Sequence, residues 1–123
     1  MKESHFSLTG RLKSFQYALD GLKTFSKEHN AKIHLFASLL VIALGFILPM
    51  SMYDWIAIIF AIALVLISEM WNTVVEHIAD YLTTERDLRI KKIKDISAAA
   101  VLVSAIVAVC IGITIFLPKL MLL

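Results

Sequence analysis

Residues 55–80 read WIAIIFAIALVLISEMWNTVVEHIAD, an apolar run that gains acidic residues before it ends. Up to residue 75 the run is interrupted by Ser68, Glu69 and Asn72. A membrane-spanning helix needs about 20 apolar residues, which this stretch supplies. An ionised carboxylate at the centre of a bilayer costs about 2.5–3.5 kcal/mol on insertion scales. The stretch therefore predicts a spanning helix whose acidic residues need protein or water around them.

Two further apolar runs flank this stretch, one closed by Pro49 and the other by Pro118, where we expect the helix to end. The chain is 59% hydrophobic, with a mean hydropathy of +0.81. A soluble domain of this composition would expose large apolar patches. The sequence predicts an all-α membrane protein, a single domain over residues 1–123, with spans at about 31–50, 54–78 and 96–117.

The segment before the first span has the periodicity of an amphipathic helix. Leucine and phenylalanine recur at spacings of three and four, and charged residues occupy the other faces. A helix of this kind also occurs in soluble cores, but the spans that follow favour the membrane interface. We predict an N-terminal amphipathic surface helix at about residues 7–27, with Ser7 as its N-cap and with Leu8, Leu12, Phe15, Leu19 and Leu22 on its apolar face.

The basic residues indicate the topology. Lys119 is the one exception among the 12 Lys and Arg residues; the others lie at positions 2–32 or 86–94. The connection between the first two spans, residues 49–54, carries none. By the positive-inside rule the N-terminus is cytoplasmic and the C-terminus lies outside. This clustering, with a net charge of only +2, is not the basic face of a nucleic-acid-binding protein.

Three carboxylates share one face of the middle helix. Glu69, Glu76 and Asp80 are separated by 7 and 11 residues, which at about 100° per residue places them within roughly 20° of a common direction. Asn72 and Thr73 lie beside them. Glu69 is about 10 Å deeper than Glu76. Three acids on one face repel each other unless a cation or a proton intervenes.

Further polar groups lie at the same junction. Glu28 and Glu76 are candidates to share a divalent cation, since hard cations take oxygen ligands. Lys94 is a candidate to bind an anion such as phosphate. The alternative is that Lys94 is simply one of the basic residues that keep this loop on the cytoplasmic side. An oligomer would bury the acidic face. The residues fit an enzyme that acts on a lipid headgroup, a proton- or cation-conducting protein, or a non-catalytic interaction protein.

The motifs of this junction resemble those of a known family, the bacterial prokaryotic-type diacylglycerol kinases. The resemblance covers residues from about 11 to 116, and its N-terminal motifs are similar to those of the Gram-positive branch, which acts on undecaprenol. Met70 and Trp71 depart from the smaller aliphatic residues usual in the family. The matching motifs are Glu69-x-x-Asn72-Thr73-x-x-Glu76-x-x-x-Asp80, Lys94-Asp95-x-x-Ala98-x-Ala100-Val101-Leu102, Glu28-x-Asn30-x-x-Ile33-His34 and Ser14-Phe15-x-Tyr17-Ala18-x-x-Gly21.

The resemblance implies a homotrimer in the bacterial inner or plasma membrane, with three spans and a surface helix in each subunit. It implies transfer of the γ-phosphate of ATP to a lipid alcohol without a P-loop. Glu69 would be the general base, Glu28 and Glu76 would hold Mg²⁺ with ATP, and the lipid substrate would meet Glu69 and His34. The remaining implied roles are nucleotide contacts from Tyr17, Glu85, Arg86, Asp87, Lys94 and Asp95, and support of the site by Asn72 and Asp80.

The sequence thus leads to the hypothesis of an ATP-dependent undecaprenol kinase that produces undecaprenyl phosphate. The alternative within the same class is a diacylglycerol kinase that produces phosphatidic acid. The rival from another class is a small membrane protein that conducts protons or cations along the acidic face.

Overall fold

The computed structural model describes residues 6–123 as four helices; Lys2, which belongs to the N-terminal basic group, lies outside the described residues. The helices are α1 (Leu8–Phe25), α2 (His29–Ile47), α3 (Met52–Leu82) and α4 (Leu88–Met121). The last three are long and apolar enough to cross a membrane. The all-helical fold with three candidate spans is therefore confirmed.

Local signals in the sequence determine where the helices begin. Ser7 accepts a hydrogen bond from the backbone N–H of Gly10, as the predicted N-cap of α1. Ser51 and Asp54 form a reciprocal capping box at the start of α3. Each cap satisfies backbone donors that have no partner within the helix. Helix α2 ends immediately before Leu48 and Pro49, as the proline predicts.

Pro118 does not end the third apolar helix, and that prediction was wrong. It lies inside α4, which continues to Met121. A proline in a helix costs one backbone hydrogen bond, but Lys119 of the same turn forms an ion pair with Asp54 at 3.0 Å. That ion pair joins the last turn of α4 to the first turn of α3. It offsets part of the free energy lost with the backbone hydrogen bond at Pro118.

Helix α3 packs mainly against α4, and less extensively against α2. Leu48, Ile58 and Phe116 form a buried apolar cluster at the end of the bundle where α3 begins. Nearer the middle, Ser104 donates to the carbonyl of Ala100 at 2.9 Å. Since a serine hydroxyl has one proton, Ser68 must be the donor in the 2.6 Å contact between the Ser68 and Ser104 hydroxyls. This bond ties α3 to α4 inside the apolar layer.

Helix α2 is held against the start of α3 by a close approach at Gly45. A Cβ atom at Gly45 would lie 2.7 Å from Cη2 of Trp55. The Trp55 ring also meets Phe46, with ring centroids 5.0 Å apart. Glycine at this position therefore lets the indole lie directly on the α2 backbone.

Gly45→Ala is expected to destabilise the protein by about 1–2 kcal/mol, because the added methyl displaces the Trp55 ring. The matched control is Gly112→Ala in α4, where a Cβ meets nothing within 4 Å and where alanine favours the helix. Thermal unfolding in detergent, followed by tryptophan fluorescence, measures both. A Gly45→Ala midpoint equal to or above that of Gly112→Ala would contradict the close approach.

Candidate functional site

The start of α2, the end of α3 and the start of α4 meet at one end of the bundle. We call this the polar end, and define it by residues 28–34, 69–80 and 87–95. Three side-chain contacts between different helices join it, and each connects a carboxylate with a histidine or a lysine. Glu28 and Glu69, two of the carboxylates predicted to do chemistry, are therefore each in contact with a neighbouring helix.

Glu69 is the deepest of these carboxylates and is only 2% exposed. Its Oε2 lies 3.6 Å from Nε2 of His34 on α2. At that separation the two side chains form a close electrostatic contact that is longer than a hydrogen bond. A buried carboxylate beside a histidine is an arrangement suited to accepting a proton.

Asn72 lies one turn further along α3 and is also buried. Its side-chain amide donates to Oε1 of Glu76 at 3.2 Å. Its Oδ1 is buried without a hydrogen-bond partner among the described residues. Since a buried carbonyl oxygen without a partner is costly, this atom is available to a donor or a cation that joins the site. Trp71, the residue before Asn72, is 67% exposed, whereas Asn72 is buried.

Glu28 is the N-cap residue of α2, and its side chain reaches α3. Glu28 Oε1 lies 3.2 Å from Nε2 of His77, the residue that follows Glu76. Glu28 thus contacts α3 at the residue next to Glu76, the other carboxylate predicted to bind the metal. His77 was not among the predicted site residues; its only signal in the sequence was its place beside Glu76.

The oxygen donors at this position fit Mg²⁺. Within residues 6–123 no three His, Cys, Asp or Glu side chains come together as a metal site. Magnesium in phosphate-transfer sites uses one or two carboxylates together with phosphates and water. Glu28, Glu76 and the unpartnered Oδ1 of Asn72 would be the hard oxygen ligands offered to such an ion.

Lys94 and Asp95 lie in the first turns of α4 and each has a partner within the chain. Lys94 Nζ donates to Oδ1 of Asp80 at 2.6 Å, and Asp95 accepts from Lys91 at 2.5 Å. A lysine ammonium has three donors, so two remain for phosphate oxygens when Asp80 takes one. The contact with Asp80 fixes the direction of the Lys94 ammonium.

The other residues predicted to contact the nucleotide are more exposed. Tyr17 lies on α1 and is 67% exposed. Glu85 and Arg86 belong to the connection between α3 and α4, where the backbone N–H of Glu85 donates to the hydroxyl of Thr83. The structure does not bring these three side chains into contact with the carboxylates of the polar end.

Asp87 is the N-cap of α4, and its carboxylate accepts from the backbone and the guanidinium of Arg89 at 2.8 and 3.0 Å. These hydrogen bonds hold the pKa of Asp87 below its ordinary value of 3.8. A pKa that is lower in the folded state stabilises the fold above the ordinary value, and that contribution disappears as the pH falls through the lowered value.

The start of α4 is accordingly expected to lose protection from hydrogen exchange in acid below pH 3.8, as Asp87 becomes protonated. Asp87→Asn keeps a good N-cap without the titration, so it is expected to remove this pH dependence. Hydrogen exchange of the amides in residues 88–92, normalised to intrinsic rates, provides the measurement. The same acid-induced loss in Asp87→Asn would show that the cap carboxylate does not cause it.

An apolar groove begins beside this site. It has a volume of about 490 Å³ and is lined by α2, α3 and α4, with His34 at one end and Leu120 at the other. Its α4 wall runs from Ala105 to Leu120, about 22 Å at 1.5 Å per residue. Small side chains, among them Ala61 and Ala108, keep the groove open. The imidazole of His34 lies at the end of this apolar groove that is nearest Glu69.

Comparisons with known proteins agree with the motifs. A family model described as prokaryotic diacylglycerol kinase matches residues 16–116. An undecaprenol kinase from Bacillus subtilis (strain 168) is 35% identical over 120 residues, which cover 97% of this chain and 98% of the relative. A diacylglycerol kinase from Synechocystis is 34% identical over 89% of this chain and 64% of the relative. A diacylglycerol kinase from Haemophilus influenzae is 33% identical over 79% and 83%.

Proposed function

From the premise that this chain belongs to the prokaryotic diacylglycerol kinase family and is a lipid kinase, we propose that it transfers the γ-phosphate of ATP to the hydroxyl of undecaprenol. Family membership favours this reaction over ion conduction and over a purely structural role. The observation that carries the proposal is the buried Glu69, in contact with His34 where the apolar groove ends.

The relatives support undecaprenol as the substrate. The Bacillus subtilis undecaprenol kinase aligns with almost the whole of both chains. The apolar groove of about 490 Å³ can take a hydrocarbon segment of either lipid, so the choice of undecaprenol rests on this relative. Diacylglycerol, the substrate named for the other two relatives, carries two chains and remains the second candidate.

The residues would take different roles in the reaction according to their depth in the membrane. The lipid hydroxyl attacks the γ-phosphorus while the bond from that phosphorus to the bridging oxygen of ADP breaks, and the hydroxyl proton passes to Glu69. Phosphoryl transfer depends mainly on positioning and on charge stabilisation. Glu28 and Glu76 would hold Mg²⁺, which supplies positive charge to the phosphates when bound. Lys94 would contact the phosphates.

The nucleotide would lie toward the surface of the polar end. Asp95, Arg86 and Asp87 lie in or near the first turns of α4, and Tyr17 lies on α1. The site is expected to be cytoplasmic, with the N-terminus inside and the C-terminus outside, because the basic residues cluster at this end. We also propose a homotrimer and a membrane-surface position for α1, as the family resemblance implies. Native mass spectrometry would then give three times the 13.8 kDa of one chain.

Purified protein in detergent, given Mg-ATP and either undecaprenol or diacylglycerol, tests the proposal. Formation of undecaprenyl phosphate, detected by mass spectrometry, is expected. Absence of a phosphorylated product with both lipids would overturn the kinase proposal. Under that outcome, an ion flux through liposomes that is lost in Glu69→Gln would identify a conduction pathway instead.

A further inference from the structure

Two carboxylate–histidine contacts join α2 and α3. In one the carboxylate belongs to α2, and in the other it belongs to α3. Glu28 of α2 meets His77 of α3 at 3.2 Å, and Glu69 of α3 meets His34 of α2 at 3.6 Å. Each helix thus contributes one carboxylate and one histidine. Glu28, a proposed metal ligand, and Glu69, the proposed base, each face a histidine on the other helix, whereas Glu76 contacts Asn72 of its own helix.

The spacing of these pairs makes them a means of alignment. Glu28 and His34 are six residues apart on α2, and Glu69 and His77 are eight apart on α3. At 1.5 Å per residue the pairs are separated by about 9 Å along one helix and 12 Å along the other. Two contacts at different depths restrict both the sliding and the rotation of α2 against α3.

The alignment matters because α2 packs on α3 less extensively than α4 does. Glu28 must reach the neighbourhood of Glu76 if both are to hold one metal ion, and Glu28 is the N-cap of the loosely packed helix. A small shift of α2 would move Glu28 relative to Glu76. It would also change the environment of Glu69, since His34 moves with α2.

We propose that His77 and His34 are positioning residues, His77 for the metal-binding carboxylate of Glu28 and His34 for the proton-accepting carboxylate of Glu69. This inference rests on the proposed kinase function. The motif that carries the family resemblance does not specify the residue at His77, between Glu76 and Asp80, so the role of His77 is inferred from its contact with Glu28.

The two pairs differ in environment, and so their effects should separate. The side chains of Glu28 and His77 are 38% and 59% exposed, and solvent screens their attraction. His77 therefore acts through geometry, by holding a metal ligand. The side chain of Glu69 is only 3% exposed, so its interaction with His34 is screened much less. His34 should therefore influence the chemical step.

The test for His77 measures metal binding without turnover. In His77→Phe, Mn²⁺ binding to the full-length protein in detergent, followed by electron paramagnetic resonance, is expected to weaken by about 10-fold. The KM for Mg-ATP should rise while kcat stays within twofold. His77→Gln keeps a side-chain N–H donor and should restore binding. The matched control is His29→Phe, at an exposed histidine of α2.

The test for His34 is the converse. His34→Phe is expected to lower kcat by at least about 10-fold and to change Mn²⁺ binding and the KM for Mg-ATP less than His77→Phe does. His34→Gln should recover most of kcat, because its amide can again donate toward Glu69. The thermal midpoints of all variants are measured in parallel.

The outcomes separate the inference from the function on which it rests. Wild-type protein that phosphorylates neither lipid overturns the proposed function. Active wild-type protein with both phenylalanine variants unchanged overturns the inference. The inference is also overturned if both variants show the same fall in kcat, the same rise in KM and the same fall in thermal midpoint, without recovery by glutamine, since that result describes general packing.

Discussion

Glu69→Gln is expected to lower the rate of lipid phosphorylation by a factor of about 10²–10⁴, the usual contribution of a general base. Glutamine has nearly the same shape as glutamate but cannot accept the hydroxyl proton. Because Glu69 is 2% exposed, water has little access to replace it. Initial rates with Mg-ATP and undecaprenol in detergent give the measurement.

The matched control is Asp54→Asn, a carboxylate-to-amide change on the same helix. Asp54 lies 15 residues before Glu69, about 22 Å along α3, where it pairs with Lys119. This control should retain near-wild-type activity, and both variants should assemble as the wild type does. Activity in Glu69→Gln within twofold of the control would remove Glu69 from the role of base.

Glu28→Gln and Glu76→Gln are each expected to impair the use of Mg-ATP. Outer-shell partners of metal ligands are worth about 10–100-fold in affinity or activity, so loss of a ligand should cost at least that much. The reason is electrostatic, since an amide oxygen carries no negative charge for the ion. The dependence of the rate on Mg²⁺ concentration measures the effect.

The control for these two variants is Asp20→Asn, at an exposed position of α1. Its Mg²⁺ dependence should match that of the wild type. If Glu28→Gln and Glu76→Gln also keep the wild-type dependence, the shared metal assignment is refuted. A shift in Glu76→Gln alone would place the ion on α3 without Glu28.

The part of the polar end that lies on α3 could be predicted from the sequence. The spacing of Glu69, Glu76 and Asp80 on α3 sufficed to predict their common face and their order in depth. The structure agrees in burial, since Glu69 is buried and Asp80 is exposed. Their roles in metal binding and catalysis stay predictions.

The contacts between helices could not be predicted from the sequence. The pairing of Lys94 with Asp80 and of His77 with Glu28 depends on the register of three helices, which no periodicity within one helix specifies. The continuation of α4 through Pro118 has the same origin. The ion pair of Lys119 with Asp54 is a tertiary contact, whereas the proline rule describes an isolated helix.

The most direct test of the kinase proposal is an internal competition. Undecaprenol and diacylglycerol at equal mole fraction in the same detergent micelles would be given limiting Mg-ATP, and both phosphorylated lipids would be quantified by mass spectrometry. The proposal predicts that undecaprenyl phosphate is the main product and that Glu69→Gln forms neither product. Predominance of phosphatidic acid would contradict the choice of undecaprenol, and the absence of both products from the wild type would contradict the kinase reaction itself.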